Sequence, residues 1–273
     1  MDTWRIILQS TPARGAWNMA VDEAILAAAG RGESLPTLRL YAWEPACLSL
    51  GYAQPVRDVD RERLHARGWD LVRRPTGGRA VLHVDELTYS VTGPLDEPRL
   101  AGTVLESYNR LAAALTEALR TLGLPVQVQE HSKSASRTAN PVCFEMPSTY
   151  EITVNGKKLV GSAQARRKEG VLQHGSLPLT GDLRRILQAL AYPDEESRTR
   201  AAERLLRQAT TVETALGRVV AWEEAAEAFV SAFRSVLALD LQPAGLTRQE
   251  TSRAEELMAA KYTSPNWTEN KKS

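Results

Sequence analysis

Apolar residues recur at helical spacing from Trp17 to Ala29, through Met19, Ala20, Ile25, Leu26 and Ala29, with Gly30 as the stop. A second helical stretch runs from Thr103 to Leu122. It places Leu105, Tyr108, Leu111, Ala112, Leu115, Leu119 and Leu122 on one face, and Gly123 ends it. Between and after these two, the period shortens to two. Trp4–Leu8 reads as an edge strand. Leu38–Tyr52 reads as two strands about a Glu-Pro turn, and Asp70–Arg73, Leu87–Thr92, Val126–Glu130 and Gly170–Leu179 as further strands. Thr149–Val154 and Lys158–Arg166 flank Asn155-Gly156, the dipeptide that most strongly marks a tight hairpin. Asp58–Gly68 predicts a short helix with Asp58 as N-cap and Gly68 as its end.

After Thr180 the pattern is helical throughout, over Asp182–Leu190, Asp194–Gln208, Val212–Leu216, Trp222–Leu237 and Thr247–Tyr262. Strands first and helices last point to an α+β fold. No internal repeat or low-complexity tract interrupts it. His131–Asn140 is a polar stretch leading into Cys143, in the position of a substrate-gating loop.

Composition narrows the chemistry. A chain of 273 residues can bury a large core without disulfides or metals. Its net charge of +1 gives no global drive towards nucleic acid or membrane. The two cysteines, Cys47 and Cys143, form no C-x-x-C pair, which argues against a disulfide framework or cysteine-rich zinc site and fits a reducing compartment. The segment Met1-Asp2-Thr3-Trp4-Arg5 lacks a signal-peptide pattern, and no apolar run is long enough to span a bilayer, so a cytoplasmic protein is expected.

Two clusters carry candidate chemistry. Cys143 precedes Lys158 by fifteen positions, and the Asn155-Gly156 turn can swing Lys158 back towards the cysteine segment. A thiol is a useful nucleophile only as thiolate, and a nearby ammonium lowers its pKa, so the pair fits acyl transfer through a thioester. A lone cysteine is also commonly inert core, the role expected of Cys47. If Lys157 and Lys158 both lie in a strand they point to opposite faces, so one can face a site and the other water. The second cluster is Arg73-Arg74-Pro75-Thr76-Gly77-Gly78-Arg79-Ala80-Val81-Leu82-His83. Its glycines permit close approach of backbone to a ligand, and its three arginines favour a phosphate or carboxylate, or are solvated around a tight turn. It matches neither G-x-G-x-x-G nor the P-loop pattern. Gly161-Ser162-Ala163 offers small side chains for close approach, or a β-bulge. His83 and His174 are candidates for acid–base work or for structural roles. His83-Val84-Asp85-Glu86 has no evident further ligands, so no metal site is expected.

Taken together, Arg73–His83 followed by Glu86-Leu87-Thr88-Tyr89-Ser90 resembles the glycine-rich signature of the biotin/lipoate protein ligase superfamily, and Gly156–Ala163 resembles its lysine hairpin. Cys143-Phe144-Glu145-Met146-Pro147-Ser148, with Tyr150-Glu151 and Gln173-His174-Gly175-Ser176, resembles more narrowly the LipM-type octanoyltransferases. The resemblance implies mixed, largely antiparallel β-sheets flanked by helices, with a helical C-terminal region. It implies a catalytic domain over 1–245 and a short helix and tail over 246–273, too short for the accessory domain of many lipoate ligases. It implies Cys143 as acyl carrier assisted by Lys158. Arg73, Arg74, Thr76, Gly77, Gly78, Arg79, His83, Gly161, Ser162, Ala163 and His174 would bind substrate. The implied donor is octanoyl-acyl carrier protein, whose phosphopantetheine bears the thioester, and the acceptor is a lipoyl domain such as glycine-cleavage H protein. No ATP, other cofactor, nucleic acid or membrane is implied. Lipoate ligases tend to carry Asn-Asp at the Cys143-Phe144 position and Gly at the Arg79 position, which favours transfer over ligation. An ATP-dependent ligase, and an amidotransferase moving octanoyl or lipoyl groups between lipoyl domains, are the alternatives.

Overall fold

The computed structural model describes residues 2–130 and 150–269. Strand β1 (Asp2–Ala13) leads into helix α1 (Gly15–Gly30), then β2 (Thr37–Trp43) and β3 (Cys47–Leu50). A short helix α2 (Arg61–Ala66) precedes β4 (Asp70–Arg73), β5 (Val81–His83) and β6 (Glu86–Gly93). Helix α3 (Val104–Thr121) is followed by β7 (Val126–Glu130), β8 (Tyr150–Val154), β9 (Lys157–Arg167) and β10 (Gly170–Pro178). Helices α4 (Glu195–Gln208), α5 (Val212–Leu216) and α6 (Trp222–Val236) come next, then β11 (Leu239–Pro243), α7 (Arg248–Leu257) and α8 (Pro265–Thr268).

An eight-stranded sheet has the order β11-β1-β2-β6-β10-β9-β8-β7, and a three-stranded sheet the order β4-β3-β5. In the large sheet β1 runs parallel to β11 and β2, and the remaining pairings are antiparallel, so the fold is the mixed α+β arrangement expected. Asn155 and Gly156 both take positive φ (50° and 74°), as a primed hairpin turn requires, and set Val154 opposite Lys157.

The period of two has a structural meaning. Leu38, Leu40, Leu87, Tyr89, Val91, Val171 and Leu177 belong to one large apolar core with Leu111, Leu115, Leu119, Phe229 and Phe233 of α3 and α6. The intervening residues Arg39, Tyr41, Thr88, Ser90, His174 and Ser176 lie on the opposite face, which α1 covers, and they are buried too. Every residue of β6 is buried. One face is therefore a hydrophobic core and the other a buried polar surface, on which the candidate site lies.

Several local readings are corrected. β1 is an interior strand, because β11 arrives from more than two hundred residues away to pair with it; a local pattern cannot see that partner. Asp60, not Asp58, caps α2: its carboxylate accepts from the Arg63 amide at 3.0 Å, while Asp58 accepts from Gln54 Nε2. The stretch expected as a helix over 182–190 is a 3-10 segment, Leu183–Gln188. The helix expected over 247–262 ends as α7 at Leu257 and continues as a π turn over Met258–Tyr262. The local pattern does not show β5, which is only three residues long, or β11, whose partner β1 lies more than two hundred residues away.

The C-terminal segment is bound tightly to the rest. Both Arg5 terminal nitrogens donate to the Glu250 carboxylate, at 2.8 and 2.6 Å, with both side chains almost wholly buried. Thr247 and Glu250 form a capping box at the start of α7, which packs on α1. No helix among the described residues is long and apolar enough to cross a membrane.

Burial alone would raise the Glu250 pKa, but Arg5 and the Thr247 amide outweigh it and hold the carboxyl below its usual range. Its folded-state pKa is thus depressed, so its stabilisation is present above the ordinary glutamate pKa and is lost as pH falls through the lower folded value. Glu250→Gln is expected to cost about 3 kcal/mol at neutral pH. Denaturant titrations should show the gap between variant and wild type closing as pH falls below the ordinary glutamate range.

Candidate functional site

The site is a narrow slot between the polar face of the large sheet, α1 and the small sheet. Its walls include Met19, Tyr41, Trp43, Val81, Gly161 and Ala163, with His83, Arg74, His174 and Ser176 supplying polar groups. The slot's volume is about 30 Å³, roughly the room of one or two water molecules.

Asp22 anchors the floor. It is fully buried, and its Oδ1 accepts from Arg39 Nη1 and Ser90 Oγ, each at 2.8 Å. Its Oδ2 accepts from the Tyr41 hydroxyl at 2.9 Å and lies 3.7 Å from His174 Nδ1. Burial pushes the Asp22 pKa up, but the Arg39 guanidinium, aided by His174, more than reverses this and keeps it a carboxylate. His174 is shifted down, chiefly by burial, so its ring is neutral at pH 7. The carboxylate favours the ring proton on Nδ1, leaving Nε2 to accept from the Thr76 hydroxyl at 2.6 Å. Thr76 belongs to the glycine loop, so α1 and the sheet hold that loop through one histidine.

A second network lies further along the same polar face, between the large sheet and the small one. His83 Nδ1 meets Glu86 Oε1 at 2.7 Å, and its Nε2 meets Ser49 Oγ at 2.7 Å. Trp43 stacks on the His83 ring with centroids 3.9 Å apart, and its indole donates to Thr88 Oγ1 at 2.7 Å. Glu86 also accepts from the Thr88 and Ser176 hydroxyls. The Ser49 hydroxyl accepts from Arg74 Nη1 at 3.0 Å, so its own proton is available to His83.

The two leading arginines of the loop spend most of their donors on backbone. Arg74 Nη2 donates to the Gly77 and Arg79 carbonyls at 2.8 and 2.7 Å, bracing the turn from within. Arg73 donates to the Gly51, Tyr52, Gln54 and Thr268 carbonyls and does not face the slot. Arg79 is half-buried. Gly78 sits at φ 93°, and its carbonyl comes so close to Gly51 that a Cβ there would stand 1.9 Å away.

Of the lysines, Lys157 donates to the Leu206 carbonyl at 2.6 Å, near the end of α4, where a cation is favoured by the helix dipole. Lys158 is the inward member at 4 % exposure, and its carbonyl accepts from the Thr210 amide. Ser162 Oγ bonds the Tyr89 hydroxyl at 2.7 Å, across the gap left by Gly175. The structure therefore brings Arg74, Thr76, His83, Gly161, Ser162, Ala163 and His174 to the slot and its loop. Cys143 lies outside the described residues. Among the described residues no cluster of His, Cys, Asp or Glu is arranged to hold a metal.

The sequence motifs do not include Asp22, Arg39, Tyr41, Ser49 or Gly51. A signal existed: Asn18, Asp22 and Glu23 are the polar positions of an otherwise apolar helix, and Arg39 interrupts an apolar strand. Charges placed so deep among apolar neighbours need partners.

The fold and slot define an α+β catalytic domain in which a glycine loop is held over a buried polar floor through Thr76 and His174. The model of the lipoyl protein ligase A/B catalytic domain matches residues 14–234, and the chain belongs to that family. Octanoyltransferase LipM of Kyrpidia tusciae is 42% identical over 99% of this chain and all of its own length. Octanoyltransferase LipM of Moorella thermoacetica is 44% identical over 97% of each chain. Among solved structures, the bi-partite lipoate protein ligase of Thermoplasma acidophilum superposes with a TM-score of 0.80 at 27% identity, over 98% of this chain and 96% of that one. A lipoate-protein ligase A bound with ATP gives 0.78 at 26%, over 98% of each.

Cys47 is wholly buried, and burial drives its thiol pKa far above the ordinary value. It should stay unmodified by iodoacetamide at about pH 8 and react only in denaturant. Peptide mass mapping before and after unfolding checks this.

Proposed function

We propose that this protein is an octanoyltransferase that moves an octanoyl group from acyl carrier protein to a lysine of a lipoyl domain, in the cytoplasm and without ATP. The observation that carries the reading is the similarity, along almost the whole chain, to proteins named octanoyltransferase. The slot supports it: its walls are largely apolar, and Gly161 and Ala163 keep one side low, where a linear chain can lie.

In this scheme the Cys143 thiolate attacks the thioester carbonyl of the donor. The new C–S bond forms as the bond to the phosphopantetheine sulfur breaks, and that sulfur leaves as thiolate and takes a proton. The ε-amine of the acceptor lysine, deprotonated by a base, then attacks the acyl-cysteine. An amide C–N bond forms, the C–S bond breaks, and the thiolate is regenerated. The first exchange is nearly isoenergetic and the second downhill. Lys158 favours the thiolate and the developing oxyanion. Glycine-cleavage H protein is the acceptor proposed, and Arg79 is the loop arginine best able to meet an acidic partner.

A second reading is an ATP-dependent lipoate ligase, favoured by the likeness to ligase structures, one of them bound with ATP. Incubation with octanoyl-carrier protein in the absence of ATP separates the two. Transfer should proceed, a hydroxylamine-labile mass should appear on Cys143, and Cys143→Ser should reduce turnover on the order of 1,000-fold. Strict ATP dependence with an active Cys143→Ser enzyme would favour the ligase. An octanoylated lipoyl domain that served as donor instead would favour an amidotransferase. Lys158→Ala should raise the pH at which Cys143 alkylates, because a positive charge that stabilises thiolate is gone; an unchanged profile removes that role.

A further inference from the structure

The glycine loop is braced from within by Arg74 and from the sheet by His174, but strand β4, which delivers it, is an edge strand. Its open side is covered by the far end of the chain. Trp267 Nε1 donates to the Arg73 carbonyl at 2.8 Å. Arg73 returns bonds to the Thr268 carbonyl, at 2.8 Å from Nη2 and 3.2 Å from Nε. The same guanidinium reaches the Gly51 and Gln54 carbonyls, at 2.8 and 2.6 Å, and Gly51 is the residue packed against Gly78. The Trp267 ring lies 5.9 Å from that of Tyr52, whose amide donates to the Thr76 carbonyl at 2.8 Å.

The tail is itself tethered to α1. The π turn over Met258–Tyr262 directs both Lys261 and Tyr262 onto Glu23, the neighbour of Asp22. Lys261 Nζ also sits 4.0 Å from the centre of the Trp267 ring, so the indole is held by a cation on one side and by the backbone of β4 on another. A continuous chain of contacts thus runs from α1 through Lys261 and Trp267 to Arg73 and the loop.

We infer that Trp267 is a positioning residue for the acyl-transfer reaction, fixing the height of the glycine loop over the slot by clamping the free edge of β4. The inference rests on the octanoyltransferase reading for its kinetic consequence but not for its structural one. Losing the indole frees the Arg73 carbonyl and loosens the tail, and residues 74–79 then fluctuate against a slot whose floor is unaltered.

The test is hydrogen–deuterium exchange of Trp267→Ala and Trp267→Phe with the full chain. In Trp267→Ala, amides of residues 74–80 should exchange about tenfold faster, the loss of one hydrogen bond with its packing. Amides of β2 and β6 should be unchanged. Trp267→Phe keeps a ring against Lys261 and Tyr52 and should fall between. In the octanoyl assay, KM for the octanoyl-carrier donor should rise about tenfold while kcat changes little. Unaltered loop exchange overturns the inference, and so does an equal rise in β2 and β6, which would mark general destabilisation. If the wild type transfers no octanoyl group, the functional reading fails, while the exchange result still decides whether Trp267 holds the loop.

Discussion

The buried ion pair between Asp22 and Arg39 is the constraint on which the site depends. A guanidinium and a carboxylate, both fully removed from water, face each other at 2.8 Å beneath a sheet whose other side is an ordinary hydrophobic core. Such a pair offsets its desolvation only when its remaining hydrogen-bonding capacity is used. Here it is: Asn18, Gln9, Tyr41 and Ser90 complete the set. Arg39 also lies 3.8 Å from the centre of the Tyr41 ring. The result is a rigid polar floor that fixes the orientation of His174 and, through it, of Thr76.

Rigidity on that side contrasts with how the glycine loop is held. The loop has no regular secondary structure, and its position is set by Arg74 donating to its carbonyls, by the Tyr52 amide on the Thr76 carbonyl and by the Thr76 hydroxyl on His174. Arg73 and Arg74 look in sequence like two cations offered to an anionic ligand. Folded, they act as internal braces, a use suited to the fork of five donors that only arginine provides. Of the three loop arginines, only Arg79 is not fully buried. This division matters for the proposed chemistry: transfer between acyl carriers requires a loop that admits a chain and then fixes its carbonyl, and a loop held by a few exchangeable contacts can do both.

The two sheets divide the labour further. The small sheet carries the loop and Ser49, the large sheet carries Glu86, His174 and Gly161, and α1 lies against both. Cys47 and Lys157 illustrate how little residue type alone decides. The first is a thiol sealed in apolar surroundings, and the second an ammonium occupied with a helix end. Their counterparts in the motifs carry the proposed reaction.

Sequence by itself determined most elements, since a hydrophobic period of two or 3.6 is written locally. Its motifs also set the family, with the glycine signature, the Asn155-Gly156 hairpin and the Gly161–Ala163 run in order. Only the tertiary structure decided that β1 is interior, that Lys158 rather than Lys157 turns inward, and that Asp22, Arg39, Ser49 and Trp267 belong with the glycine loop. The physical reason is sequence separation. Pairing of β1 with β11, of Arg5 with Glu250, and of Arg73 with Thr268 joins positions about 200 or more apart. A partner's identity leaves no trace in the local pattern that a buried charge interrupts.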